Sequence, residues 1–302
     1  MTVGEWLAGV EAGPGVDPAL IEALRDDLDA TAWRASALVR DHLDPAESLP
    51  LRLSKSRIAD VESCERRAVA AAGSDADSAL STAMLAGRAL DQFVTHQLFA
   101  GRVLEPVPAL AQMLDACGDQ AALDALVQME GGAAADLLEP MSAAAEAWAD
   151  VDADWQPRLQ SRAVATFAGG DVICSGVLDV ELGGPSTPHP SVVIEVKSGA
   201  VAASHAHEVY LYALLVALRD RRAPAVVARW YPGKEPAGVK VGDGVLSSAT
   251  ERLRDAIVRW AELTCGETPL ERPGSLCDWC PDLADCPTGR SALAERPDGE
   301  VR

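Results

Sequence analysis

The 302-residue sequence has no apolar run approaching the ~18 residues that a membrane-spanning helix needs. Its longest, Val209 to Leu218, has the length of a buried helix. The opening residues, Met1 to Trp6, carry neither the basic segment nor the apolar stretch of a secretory leader, so a cytoplasmic protein with no membrane partner is expected. Basic residues are scarce: 26 Lys and Arg stand against 46 Asp and Glu, for a net charge of −20. That excludes a uniformly basic nucleic-acid-binding surface, and any such role must use a local patch. No G-x-x-x-x-G-K-(S/T) loop is present, so the chain is not itself an ATP-driven helicase. Apolar residues make up 48%, enough for a sizeable core and too many for wholesale disorder.

The acid is concentrated. Residues 1–50 carry −7 and residues 71–156 carry −12, whereas residues 51–70 and 157–235 are close to neutral. The acidic segments read either as solvated helix faces or as surfaces that keep nucleic acid out of all but one channel. Residues 17–44 have helical periodicity, with Asp17 as cap and Pro18 in the first turn. A second helix is expected from Ser54 or Ser56 through Ile58, Val61 and Cys64 to about Ala72. Residues 76–150 are rich in Ala and Leu without a strand pattern, and read as several helices broken near Pro106, Pro108, Gly118 and Gly131.

The texture then changes. Residues 160–168 and 171–182 read as a hairpin across Gly169–Gly170, and Ser191 to Ser198 as a strand buried on both faces. A helix over 203–222, a strand from Ala225 to Tyr231 and a helix over 247–265 follow, with a loop-like tail after Pro269. This order predicts an α/β core behind a helical front half.

Seven cysteines in a chain expected in the cytosol argue against a disulfide framework. Cys277, Cys280 and Cys286 form a C-x2-C-x5-C pattern in a Pro- and Gly-rich tail that has little to pack. A metal centre explains thiols in such a segment, because it fixes a loop that burial cannot. Three thiolates leave one ligand position open, and Cys64, beside Arg66 and Arg67, is the best fourth. Spacing alone does not choose between zinc and iron–sulfur. Cys117, Cys174 and Cys265 lie in apolar contexts and read as buried and inert.

Asp179 lies in Gly176-Val-Leu-Asp179, and Glu195 and Lys197 in Val192-Val-Ile-Glu-Val-Lys-Ser-Gly199. Strand period is two, so Glu195 and Lys197 share a face. Charged groups on an aliphatic strand are costly unless paired or bound to a cation. One solution is a structural Glu–Lys pair. Another is Mg²⁺ or Mn²⁺ held by Asp179 and Glu195, with Lys197 steadying a nucleophile or developing charge. On the following helix Glu208 and Tyr212 are four apart and share a face.

Together these motifs resemble the iron–sulfur members of the RecB-like PD-(D/E)XK nucleases, such as AddB-type repair nucleases and nucleases associated with CRISPR adaptation. The S-x-S-x5-x2-C helix resembles Ser54 to Cys64. The G-x-x-D motif resembles Gly176 to Asp179, and (D/E)-x-K-(T/S)-G resembles Glu195 to Gly199. The Q-x-x-x-Y motif resembles Glu208 to Tyr212, with Glu where Gln is usual. The G-x-x-x-H motif has Asp91 in the histidine position of Gly87-Arg-Ala-Leu-Asp91. His96 lies ~140° around the helix from Asp91 and is a poor substitute.

The resemblance implies a restriction-endonuclease-like core, a mixed central sheet flanked by helices, with a C-terminal Cys-rich cluster loop. Its segments are an acidic helical extension (1–50) and a nuclease domain (51–290) with a helical insertion (71–156), a catalytic core (157–235) and a cluster loop (270–290), followed by a tail (291–302). It implies catalysis by Asp179, Glu195, Lys197, Glu208 and Tyr212. Mg²⁺ or Mn²⁺ would be held at Asp91, Asp179, Glu195 and Val196, and a 4Fe–4S cluster at Cys64, Cys277, Cys280 and Cys286. The expected substrate is DNA, as single strands or ends, in repair, recombination or defence, with a separate helicase or repair subunit as a further partner. Arg52, Lys55, Arg57, Arg66, Arg67 and Arg88 are candidates for lining the strand's entry, and Tyr210 or Trp279 for stacking a base. The competing expectations are a nuclease-fold module that binds DNA ends or a protein without cleaving, and a zinc-stapled nuclease with the same active site.

Overall fold

The computed structural model describes residues 1–13, 15–73, 82–100, 104–109, 112, 131–202 and 205–296. Cys117 and Gly118 lie outside these residues. In chain order the elements that position the sites are α1 (Val3–Ala8), α2 (Pro18–His42), α3 (Pro45–Ser48), β1 (Leu51–Ser54), α4 (Lys55–Ser63), α5 (Glu65–Gly73), α6 (Thr82–Ala100) and α7 (Gly131–Ala147). They continue with β2 (Arg158–Phe167), β3 (Val172–Leu182), β4 (Val192–Val196), α8 (His205–Asp220), β5 (Val226–Trp230), β6 (Ala237–Lys240), α9 (Asp243–Thr264) and α10 (Pro287–Ala294). Among the described residues no helix is long and apolar enough to cross a membrane.

By internal packing the chain divides into two units. The first comprises Met1–Ile21, Ala79–Ala163 and Val177–Leu246; the second comprises Glu22–Ser78, Val164–Gly176 and Ser247–Arg302.

The first unit is built on a mixed sheet. β4 pairs antiparallel with β3 (Val180 opposite Ile194) and parallel with β5 (Val192 beside Val226). β6 pairs antiparallel with β5. Parallel neighbours need a crossover, and α8 supplies it, packing on both β4 and β5. Every residue of β4 is buried, as its unbroken apolar run predicts. Val192, Ile194 and Val196 join a core with Val180, Leu182, Val226, Trp230, Leu90, Phe93, Met141 and Trp148. Thus α6 and α7 cover one face of these strands. Trp148 meets Trp230 edge to face with centroids 5.6 Å apart. Nine of the ten residues from Val209 to Leu218 in α8 are buried, as expected of a helix apolar on nearly every side.

The second unit contains α2, α4, α5, most of α9 and the cysteine tail. The hairpin turn between β2 and β3 takes positive φ at Gly169 (65°) and Gly170 (106°), which glycine adopts without steric cost. β1, absent from the sequence reading, lies parallel to the start of β3, with Leu51 beside Val172. Asp171, at the end of that turn, accepts hydrogen bonds from Ser36 and from Arg40 (2.7 Å), and these hold its carboxyl below the usual range. Ser54 caps α4 by accepting from the Arg57 N–H at 3.1 Å. The expected single helix from Ser54 to Ala72 is in fact two. Cys64 takes an extended conformation (φ −160°) and separates α4 from α5, which turns its thiol out of the helix. The tail differs too: short 3-10 turns at Ser275–Trp279 and Leu283–Asp285 lead into α10, so it is not a loop throughout.

Glu65, one residue beyond that break, is 3% exposed. It accepts from Arg259 and from the Leu270 N–H, both at 2.7 Å. The hydrogen bond from Arg259 is the main cause holding its carboxyl below the usual glutamate range, against burial. A lowered folded-state value stabilises the fold above the ordinary glutamate pKa, and that stability is lost as pH falls through the folded value. The melting-temperature gap between wild type and Glu65→Gln is therefore expected to be widest at neutral pH and to close below about pH 4. A gap independent of pH would remove the ionised pair as its cause.

Candidate active site and thiol centre

The sequence-predicted acidic residues and the lysine all lie in the first unit. Since Val180, Leu182, Ile194 and Val196 face the α6–α7 core, alternation turns Asp179, Glu181 and Glu195 to the other face, beneath α8. Continuing the Val180–Ile194 register by one residue sets Asp179 beside Glu195. Asp179 Oδ2 accepts the Val196 N–H at 2.7 Å, so this carboxylate also fixes the end of β4. Lys197 Nζ lies 2.9 Å from Glu195 Oε1 and 2.6 Å from Glu208 Oε2. The three side chains are largely withdrawn from water, with 16%, 3% and 20% exposure in that order. Glu208 is thus a second counter-charge to Lys197.

Glu181, which shares that face, is held as a structural acid. It is buried and held by Arg219 (2.7 Å), Arg158 (3.2 Å) and Ser161. Tyr212 is brought to the same neighbourhood on α8, but it is fully buried and its hydroxyl donates to the Val177 carbonyl at 2.7 Å. In this arrangement it braces α8 against β3 rather than reaching toward a substrate.

Asp91, on α6, receives both hydrogens' worth of contact from one amide: Gln160 Nε2 is 2.9 Å from Oδ1 and from Oδ2. Sequence reasoning missed Gln160, which carries no motif and sits at a positive φ of 50° on β2. It also missed His205, whose Nδ1 lies 2.8 Å from the Tyr231 hydroxyl. Gly87 of the G-x-x-x-D turn is close enough that a Cβ there would lie 3.2 Å from Ser198 Oγ. Two separate motifs therefore meet at this point.

Cys64, Cys277, Cys280 and Cys286 all belong to the second unit and are free thiols. Gly289, in the first turns of α10, is buried, and a Cβ on it would lie 3.4 Å from Cys286 Sγ and 3.6 Å from Cys277 Sγ. The two sulfurs thus flank a space that glycine keeps open. Backbone amides point at them: the Gly289 N–H at Cys286 Sγ (3.3 Å) and the Gly274 N–H at Cys277 Sγ (3.4 Å). Burial, followed by the charge of Cys64, pushes the Cys280 thiol up. Among the described residues no three His, Cys, Asp or Glu side chains are gathered closely enough to hold a single metal ion, either here or beneath α8. Cys174 is buried, its thiol pushed up to about 12 by that burial, as an inert core residue should be. Cys265 is half-buried.

The arginines proposed for nucleic acid divide. Arg66 binds Glu271 (2.6 Å), Asp282 (2.5 Å) and the Asp285 carbonyl (2.6 Å), and so ties the Cys64 helix to the cysteine tail. Arg57 stacks over Trp260 at 4.2 Å and donates to the Ala68 carbonyl at 3.0 Å. Arg67 pairs with Asp60. These three serve the fold. Arg88 and Arg52 are exposed, Trp279 is 55% exposed, and Tyr210 is half-buried against His207.

No family model matches the chain, and no curated protein matches it. Among solved structures, a protein of Eubacterium rectale that carries the provisional name exonuclease, determined at 2.19 Å, is similar over 80% of this chain and 91% of that one. The TM-score is 0.51 and the identity 14%, so the likeness is one of fold. The crystal structure of SSO0001 covers 78% of this chain and 95% of its own at 12% identity, with a TM-score of 0.31 that carries no argument.

Proposed function

We propose that this chain is a divalent-metal-dependent deoxyribonuclease of the RecB-like PD-(D/E)XK kind, acting on single strands or DNA ends in repair, recombination or defence in the cytoplasm. The observation that carries the reading is the placing of Asp179, Glu195 and Lys197 on one face at the adjoining ends of β3 and β4. The shared fold with the Eubacterium rectale protein supports it.

Phosphodiester hydrolysis joins a water oxygen to phosphorus, breaks one P–O bond and passes a proton to the departing oxygen. Asp179 and Glu195, with Val196 between them and Lys197, are the hard-oxygen donors that suit Mg²⁺ or Mn²⁺. Such an ion, when bound, lowers the pKa of water and draws charge from the phosphoryl oxygens. Lys197 has three N–H donors and spends two on Glu195 and Glu208. The third is left for the attacking water or for charge developing on phosphorus. Asp91, oriented by Gln160, is an additional oxygen donor of the same class.

Cys64, Cys277, Cys280 and Cys286 would hold a 4Fe–4S cluster with a structural role. The space beside Gly289 and the two amide N–H groups aimed at sulfur support a thiolate-bound centre.

A second reading, a nuclease-fold module that binds DNA without cutting it, draws on the clasp of two carboxylates on Lys197 and on the engaged Tyr212 hydroxyl. Cleavage of end-labelled single- and double-stranded DNA by anaerobically purified protein decides between the two. The expected result is cleavage with Mg²⁺ or Mn²⁺ and none with EDTA. Brown, folded protein that binds DNA and leaves it intact would establish the module instead.

A further inference from the structure

β5 runs parallel to β4 with Arg229 as the register partner of Glu195. Val226, Ala228 and Trp230 belong to the core under α6 and α7. Alternation therefore turns Arg229 to the face that Glu195 occupies, beneath α8. His205, on the first turn of α8, feels the whole group. Burial chiefly lowers its pKa, and Lys197, Glu208, Arg229 and Glu195 contribute in that order. Arg229 thus stands among the residues assigned to catalysis.

Its guanidinium differs from its neighbours. Arg219 has Glu181 and Asp220, Arg158 has Glu181, and Lys197 has Glu195 and Glu208. Arg229 Nε is buried and makes no hydrogen bond. A buried guanidinium nitrogen without an acceptor is unfavourable and calls for an explanation. The register partner Glu195 engages Lys197 through Oε1, and neither Glu195 Oε2 nor Arg229 Nε, both buried, makes a hydrogen bond. The face is otherwise acidic, with Asp179, Glu195 and Glu208 against Lys197, and an arriving phosphate meets that repulsion unless a fixed cation opposes it.

We propose that Arg229 is a phosphate-binding residue of this site, donating its guanidinium N–H groups to a non-bridging oxygen of the DNA strand when substrate lies along the ends of β4 and β5. The inference rests on the nuclease reading and adds to it a residue that no motif names. Guanidinium offers a planar fork matched to phosphate oxygens, and its Nε end here makes no hydrogen bond.

The test is binding of a fluorescein-labelled single-stranded oligonucleotide in Ca²⁺ buffer, followed by anisotropy across a salt series, beside the cleavage assay. Arg229→Met is expected to bind about tenfold more weakly, and the slope of log K against log salt should shrink by about 0.7, one phosphate contact on a single strand. Arg229→Lys should keep the wild-type slope. If the methionine variant fails to fold, Arg229→Gln, similar in length and uncharged, gives the same comparison. Wild-type affinity and slope in a folded, uncharged variant would overturn the assignment while leaving the nuclease reading intact. A wild-type protein that neither binds nor cuts DNA would overturn both.

Discussion

Lys197→Ala is expected to lower metal-dependent DNA cleavage by about 10²–10³-fold or more, the usual cost of removing one preorganised donor from developing charge. It is also expected to destabilise the fold. Glu195 is 3% exposed and Glu208 20%, and both rest on the Lys197 ammonium. Removing one partner of a largely buried charge group costs about 3–5 kcal/mol, because the charges left behind stay out of water. The two carboxylates would then face each other without the ammonium between them, and one should take up a proton. A carboxyl whose folded-state pKa is raised stabilises the fold at low pH and loses that contribution as pH rises through the folded value. The melting-temperature deficit of Lys197→Ala should therefore be larger at pH 8 than at pH 5. Adding Glu208→Gln should restore most of the stability and none of the cleavage, which separates the clasp from the chemistry. Undiminished cleavage by Lys197→Ala would move the active site elsewhere. Restored cleavage in the double variant would make Lys197 a purely structural counter-ion.

The face shared by Glu195 and Lys197 was legible in the sequence because strand alternation is a strict rule. Once Val192 to Val196 reads as a buried strand, Glu195 and Lys197 must share a side, and the structure joins them at 2.9 Å. The α8 crossover was legible for a similar reason, since an apolar run of that length between two strands has little else to do. Other features left no such trace. β1 and β6 have four residues each, too short for a period to register. The break at Cys64 falls within a stretch whose apolar spacing continues unbroken, and only the packing of the cysteine tail explains it. Gln160 and Arg229 lie on strands whose patterns tell which way they point but not what they meet. Exposure leaves no trace in the pattern: Arg57 meets a tryptophan face and Arg66 two carboxylates, contacts that the spacing does not encode.

Cys286→Ala is expected to remove the brown colour and the iron of anaerobically purified protein, lower its solubility and leave the residues beneath α8 in place. Cys286 has the most demanding position of the four. Its sulfur caps α10 by accepting the Gly289 N–H, it is buried, and it shares with Cys277 the space that Gly289 keeps free. The segment around it has little apolar burial to order it, so loss of a bound centre takes with it much of the free energy that fixes the tail. Gly289→Val tests the same space without touching a ligand. Its Cβ would stand 3.2 Å from Leu283 Cδ1 and within 3.6 Å of both sulfurs, and the two branching methyls would extend further into the gap. All four thiols would survive, yet the metal content should fall as it does in Cys286→Ala. Arg66→Met should do less, since Glu271, Asp282 and the Asp285 carbonyl would loosen while the donor set stays whole. A brown spectrum unchanged in Cys286→Ala would count against the ligand assignment. A colourless wild type with one zinc per chain would replace the cluster with the zinc-stapled alternative and leave the argument for Asp179, Glu195 and Lys197 unaltered, because none of those residues depends on which metal the thiols hold.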